Sequence, residues 1–266
     1  MNTGKLVRFN RIFSHPSGRL CSVAIDHYIG YGDEMPPGLL HIGATSGELV
    51  AGRPDAVTMH KGPAAHIWPA YAGSVPLILQ TSLVRADDTA IEQVTTPEEA
   101  IRLGADAVAV VAFVRGATEA RYLRAVADVV RDAARFELPV ICHIYPRTFR
   151  DGGVQISFEP EDIAWAARCA VECGPDVVKV PYCGDVAAYR QIVADCPTPL
   201  VAAGGPKTPT FEAALEMVSQ VVASGARGAT IGRNIWGIPQ VTGAVQAFKA
   251  VVHDLTPPAE AIRLAR

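Results

Sequence analysis

Eight short apolar runs, separated by polar turns and amphipathic stretches, constrain this sequence more than any other feature. They fall at residues 21–25, 56–59, 77–79, 107–112, 140–144, 177–180, 200–203 and 229–231. Each run is continuously apolar rather than alternating, as parallel strands covered on both faces tend to be. Strands that alternate with helices call for a parallel sheet, and eight of them fit a closed barrel better than an open sheet. A weak repeat points the same way. Gly52-Arg-Pro-Asp-Ala-Val, Gly104-Ala-Asp-Ala-Val, Gly174-Pro-Asp-Val-Val and Gly225-Ala-Arg-Gly-Ala-Thr each join a helix-ending glycine to a strand entry. Glycine suits that joint because the residue after a helix often takes a left-handed conformation. Helix starts are visible at Thr96-Pro97-Glu98-Glu99, a capping-box pattern, and at Pro160-Glu161-Asp162, which places acids on a first turn. The tail, residues 256–266, is expected to end in a short helix. With no linker or low-complexity break, the expectation is one α/β domain over residues 1–266, a single (β/α)8 TIM barrel.

The 266 residues are the usual length of such a barrel. A formal net charge of −3 argues against a nucleic-acid or polyanion surface. No run is long and apolar enough to span a bilayer, and the opening MNTGKLVRFNRIF has no apolar signal core, so the expectation is a cytoplasmic protein without membrane partners. Six cysteines, at 21, 142, 169, 173, 183 and 196, lie scattered in apolar contexts and are expected to be free thiols. Cys169 and Cys173 share a helix face, but no nearby Cys or His completes a zinc set, so no metal is expected.

In a barrel the chemistry sits at the C-terminal ends of the strands. Those ends carry Asp26-His27, His60-Lys61, His143-Ile-Tyr145, Lys179, Gly204-Gly205-Pro-Lys207 and Gly232-Arg233. Lys179 is the sharpest of these signals, because apolar neighbours on both sides put it on a buried strand. Burial lowers the pKa of an amine, and the neutral amine is the form that attacks a carbonyl. The plainer alternative is a structural lysine paired with an acid such as Asp26, yet lysine is seldom buried for structure alone. Gly204, Gly205, Gly232 and Arg233 fall where barrels commonly hold a phosphate, against the alternative of ordinary turn glycines. Tyr145 and Asp26 are candidates for proton transfer, as opposed to a rim aromatic and a mere counter-ion. His143 could do the same or simply satisfy a backbone carbonyl. His27, His60, Lys61 and Lys207 are candidate pocket residues.

As a set and in order, Ser22-Val-Ala-Ile-Asp26-His27, Ala56-Val-Thr-Met-His-Lys-Gly62, Tyr145-Pro-Arg147, Val177-Val-Lys179-Val-Pro-Tyr182, Gly204-Gly-Pro-Lys207 and Gly232-Arg-Asn234 resemble the archaeal-type (DhnA-type) class I fructose-bisphosphate aldolases. The resemblance runs from about Arg11 to about Asp254. It implies that Lys179 forms the imine, Tyr145 transfers protons, Asp26 is the active-site aspartate, and Gly204, Gly205, Gly232 and Arg233 bind the substrate phosphate. It also implies no metal or cofactor and a homo-oligomer, often a decamer. Three positions depart from the pattern: His143 replaces a tryptophan, Thr148 a glycine, and Ala203 a serine found in some members. Relatives with altered pockets include the aminodideoxyheptulosonate synthases, the hydroxy-phosphonooxypentanedione thiolases and bacterial enzymes that condense a triose phosphate with aspartate semialdehyde. The expected function is a class I aldolase acting on a phosphorylated ketose, with dihydroxyacetone phosphate as product or donor. The alternatives are a thiolase passing an acetyl group to coenzyme A and a non-catalytic sugar-phosphate binder.

Overall fold

The computed structural model describes residues 2–31, 36–150 and 152–265. Eight parallel strands close on themselves: β1 (Leu20–Ala24), β2 (Ala56–Met59), β3 (Leu77–Gln80), β4 (Ala107–Val114), β5 (Val140–Arg150), β6 (Val177–Val180), β7 (Leu200–Ala203) and β8 (Gly228–Ile231). Each pairs with the next, and β8 returns to β1 through Leu20 opposite Gly228. The expected (β/α)8 barrel is the fold, and every expected run is a strand.

Side chains two apart on a strand share a face, so each strand sends a short series inward. At the N-terminal end the inward residues are apolar: Leu20, Ala56, Ile78, Ala107, Ile141, Val177 and Val201 pack as one buried cluster with Ile12 and Phe13. Helix Thr3–Ile12 closes this end as a plug. Its polar composition hides that role, because only Phe9, Ile12 and Phe13 of the segment pack on the barrel. The second apolar layer, between sheet and helices, is larger; in helix Glu119–Ala134, Tyr122, Val126, Val129 and Ala133 are its buried face.

The repeat seen in the sequence has a structural meaning at the barrel floor. Asp55, Asp106 and Asp176 each precede an even-numbered strand. Each accepts a hydrogen bond from the backbone N–H of the strand before it: Cys21 (2.6 Å), Leu77 (3.3 Å) and Val140 (2.9 Å). A cation from elsewhere neutralises each one: Lys249 at 3.2 Å for Asp55, Arg11 at 2.9 Å for Asp106 and Lys5 at 2.9 Å for Asp176. In the fourth copy Arg227 stands in place of the aspartate, donates from Nε to Gly18 O (2.6 Å) and stacks over Phe13. Gly104, Gly174 and Gly225 are left-handed as expected, with φ of 77°, 80° and 93°. Gly52 is not: Arg53 takes the left-handed turn (φ 55°). Gly52 is needed for a different reason, since a Cβ there would lie 2.6 Å from Val245 Cβ.

Two other features depart from expectation. Strand β5 runs on to Arg150, because its end pairs antiparallel with Gly153–Ile156. Ser82–Val84 and Ile91–Gln93 form a hairpin after β3. Arg147, whose side chain is wholly buried, holds these additions together by donating to Ala86 O (2.8 Å), Asp88 (2.6 Å), Arg115 O (3.1 Å) and Thr118 (3.0 Å). The capping box at Thr96 forms as expected. The tail ends in Pro258–Ala261 and a 3-10 turn, Ile262–Ala265; Arg266 lies outside the described residues. Among the described residues no helix is long and apolar enough to cross a membrane.

Candidate active site

The same period of two that fills the floor with apolar groups carries polar ones to the other end. Val177 is followed inward by Lys179, Ile141 by His143 and Tyr145, Ile78 by Gln80, and Leu20 by Ser22, Ala24 and Asp26. Register sets Val111, His143 and Lys179 side by side on neighbouring strands, with Phe113 opposite Tyr145 one step higher. These side chains line a cavity of about 620 Å3 at the C-terminal mouth.

Lys179 is 5% exposed. Burial pulls its ammonium down to about 8, against the opposing pull of Asp26. At neutral pH about a tenth of it is therefore the neutral amine, against roughly one part in three thousand for an ordinary lysine. Asp26 is buried, which raises a carboxyl, but His27, His143, His60 and Lys179 act on it more strongly and hold it at about 2. Its oxygens are already engaged. Gln80 Nε2 donates to Oδ2 at 2.8 Å, and His27 Nδ1 lies 3.4 Å from Oδ1. Asp26 thus acts on Lys179 as a nearby charge. The histidines are pushed toward neutrality, His27 to about 4 and His143 well below its ordinary value, in both cases mainly by burial. His60 is lowered by burial too, and its Nε2 lies 3.1 Å from the Asp26 carbonyl. Since a carbonyl only accepts, that contact fixes the proton on Nε2 and leaves a lone pair on the buried Nδ1, which has no partner among the described residues. Among the described residues the site thus combines one carboxylate, imidazoles held toward neutrality, two arginines and an amine whose pKa is lowered toward neutrality.

Across the mouth, the loops after β7 and β8 are locked together by Asn234. Its Nδ2 donates to Gly204 O and Pro206 O (both 3.0 Å), and its Oδ1 accepts from Thr208 N (3.0 Å). Gly204 itself departs from expectation: its N–H donates to Thr230 O at 2.8 Å and so is not offered to a ligand. It is glycine because a Cβ would meet Ile231 Cα at 2.8 Å. Gly205 is left-handed (φ 67°), and Gly232 starts the short helix Arg233–Trp236, where a Cβ would press on His27 at 2.7 Å. Arg233 Nη2 donates to Gly205 O at 3.1 Å, which ties its guanidinium to the same loop.

Asp26, His27, His60, His143, Tyr145, Lys179, Gly204, Gly205, Gly232 and Arg233 all line the cavity. Lys61 and Lys207 do not. Lys61 turns outward to Glu99 (2.7 Å), and Lys207 donates to Gly237 O (3.1 Å). Sequence reasoning missed Gln80, Ser82, Arg85 and Phe113. Gln80 had a signal: it stands two residues after inward Ile78, on a strand expected to end at Leu79. Its Oε1 accepts from Ser82 Oγ (2.9 Å), which in turn accepts from Val111 N (2.8 Å), so the group that holds Asp26 is itself held. Among the described residues no group of three or more His, Cys, Asp or Glu is placed to hold a metal ion.

A model of the DeoC/LacD family of aldolases matches residues 20–237. The chain is 32% identical over 255 residues to a 2-amino-4,5-dihydroxy-6-oxo-7-(phosphonooxy)heptanoate synthase of Streptomyces griseus, covering 93% of this chain and 90% of the relative. It is 34% identical over 243 residues to a class 1 fructose-bisphosphate aldolase of Thermoproteus tenax, covering 86% and 87%. Among solved structures, an archaeal fructose-1,6-bisphosphate aldolase whose catalytic lysine is covalently bound to the carbinolamine intermediate superposes with a TM-score of 0.81. It is 31% identical and covers 94% of this chain and 99% of that one. The chain belongs to the DeoC/LacD family of aldolases.

Proposed function

We propose that this class I aldolase carries its covalent chemistry on Lys179 and acts on a phosphorylated ketose, with dihydroxyacetone phosphate as the ketone fragment. What supports this most is a lysine that is 5% exposed and lowered to about 8, inside the mouth cavity beside an ionised Asp26. A group placed so is costly unless it reacts. The phosphorylated products and substrates in the names of the related enzymes support the substrate class.

In the cleavage direction Lys179 Nζ adds to the ketone carbon and the carbinolamine loses water, which leaves an iminium ion. The bond between the second and third carbons beyond nitrogen then breaks. Its electron pair moves to nitrogen as the enamine forms, while the hydroxyl on the departing carbon gives up its proton and becomes an aldehyde. Neutral His143 takes that proton, directly or with the Tyr145 hydroxyl as a relay, and the same groups return it to the enamine carbon. Water then hydrolyses the iminium. Asp26 stabilises the cation while it exists, and Gln80 keeps its carboxylate in place. Gly205, Gly232 and Arg233 hold the phosphate, whose binding orients the reacting carbons. No cofactor enters this scheme.

Intact mass spectrometry after incubation with dihydroxyacetone phosphate and borohydride tests it. The expected result is one reduced adduct on the wild type and none on Lys179→Ala. An adduct of equal yield on the variant would refute the assignment.

A further inference from the structure

We propose that the Thr58 hydroxyl, backed by Ser22 and Thr230, holds a water molecule on the closed side of Lys179, and that this is the water the carbinolamine releases and the iminium takes back. The role rests on the imine chemistry proposed above; the water site rests on the barrel interior alone. Thr58 is 1% exposed, and its Oγ1 is buried with no hydrogen-bond partner among the described residues. A buried hydroxyl without a partner is costly, and a bridging water meets its need. The position of Thr58 brings that need to Lys179. Interior side chains of a barrel stack in layers of four, each drawn from alternate strands. On the even strands Ala56, Ala107 and Val177 belong to the apolar floor. Two residues further along, with β8 supplying the fourth, come Thr58, Ala109, Lys179 and Thr230. In the closed ring β2 stands opposite β6, so Thr58 and Lys179 point toward each other across the barrel.

Bulky branched residues usually fill such a layer. This one has a bare methyl at Ala109 and two hydroxyls, which gives a water both room and partners. Ser22 Oγ, from the layer beneath, meets Thr230 Oγ1 at 2.7 Å. That bond uses one of their two protons, so the pair has a second to give. Ser22 pairs with Thr230 on one side of β1, and Ala24 with Thr58 on the other, so the three hydroxyls lie on adjacent strands. Thr230 lines the mouth cavity, whereas Ile78, Ile141 and Val201 around Ser22 are apolar, so a water held here is at the bottom of the site with no exit downward. A substrate that fills the mouth displaces water above Lys179 and leaves this one in place. In dehydration the C–O bond of the carbinolamine breaks and both electrons go to oxygen. That oxygen has one hydrogen and takes a second, the proton that the Lys179 ammonium gave up on becoming the nucleophile. Hydrolysis reverses these steps: the retained water adds to the iminium carbon, and nitrogen regains its proton as the amine leaves.

Time-resolved borohydride trapping with dihydroxyacetone phosphate, read by intact mass spectrometry, tests the role. It is run at a pH well above the Lys179 value of about 8, where wild type and variant alike are mainly amine and a further lowering of that value changes nothing. Thr58→Val, which keeps the shape and removes the hydroxyl, is expected to slow the appearance of the reduced adduct roughly tenfold or more at an unchanged final yield. Thr58→Ser is expected to restore the wild-type rate. A crystal structure of the unliganded wild type is expected to show a water within hydrogen-bond distance of Thr58 Oγ1, and that of Thr58→Val none. Trapping as fast on Thr58→Val as on wild type, Thr58→Ser as slow as Thr58→Val, or no water beside Thr58 in the wild type overturns the proposal. No adduct on the wild type would instead sink the imine reading and the role of the water with it, while the crystal structure still decides the site.

Discussion

The barrel has a cluster of buried charge at each end, and the two are built on opposite principles. At the floor Asp55 is surrounded by partners that match it one to one. Cys21 N–H, His253 Nε2 at 2.8 Å and Lys249 at 3.2 Å satisfy its oxygens, and His253 Nδ1 in turn meets Ser17 Oγ at 2.9 Å. At the mouth, among the described residues, one carboxylate faces an amine, two arginines and three imidazoles, and the His60 Nδ1 lone pair and the Arg85 Nε–H have no partner. The floor cluster stabilises the fold because it is complete. The mouth cluster is incomplete in the way a binding site is, since what it lacks is what a substrate supplies.

On that contrast, a substitution at the mouth costs function while the fold gains stability, and one at the floor does the reverse. Lys179→Met should lower turnover at least about 10⁴-fold in a retro-aldol assay, since the nucleophile is gone. The melting temperature should rise, because a desolvated cation has been replaced by an apolar chain of similar length. Asp55→Ala should destabilise the protein by about 3 kcal/mol, through the stranded His253, Lys249 and Cys21 N–H, with turnover per folded molecule unchanged. A denaturant titration with active-site trapping as the folded-enzyme count checks both halves. Burial pushes the Asp55 carboxyl up, but the hydrogen bonds from His253 and Cys21 hold it below its ordinary value. Its contribution is therefore present above the ordinary carboxylate range and lost as pH falls through the lower folded pKa, so Asp55→Ala should flatten the acid limb of a stability profile.

The pH dependence sharpens the comparison at the mouth. Adduct formation should fall about tenfold per pH unit below about 8, where Lys179 becomes protonated. Stability should move with it: the unfolded chain holds that proton up to the ordinary value of 10.5, so folding is favoured increasingly as pH rises from about 8 to 10.5. A flat profile for trapping across roughly pH 6–8 would break the reading of Lys179 as a depressed amine. The smallest effect is expected at Lys61 and Lys207, the two expected pocket lysines that lie outside the cavity. Lys61→Ala and Lys207→Ala should change turnover less than about twofold and stability by less than about 0.5 kcal/mol, since each makes one exposed contact.

The strands were legible because their apolar runs are continuous. The mouth residues were legible because a polar side chain at the end of a buried run is costly unless it faces a cavity or solvent. The hairpin after β3 and the extension of β5 were not. Arg147-Thr148-Phe149-Arg150 has the polarity of a loop, and what makes it a strand is a buried guanidinium gathering four acceptors from two segments distant in the chain. Gly204 lines the mouth, and close approach to the Ile231 backbone requires it to be glycine. A glycine required by close backbone approach looks the same in sequence as one that offers its N–H. Arg85 was invisible because it lies beyond the end of an expected strand, and only the hairpin turns it inward.

The aspartate repeat at the floor also bears on how the chain finds its fold. Each latch joins partners only 34, 29 or 36 residues apart, so odd and even strands can pair off locally before the ring exists. The seam between β1 and β8, where Ser22 Oγ meets Thr230 Oγ1 at 2.7 Å, spans 208 residues. Contact separation alone therefore predicts latched strand pairs early and the seam last, and pulsed hydrogen-exchange labelling that protected the β1–β8 seam as early as the latched pairs would contradict that order.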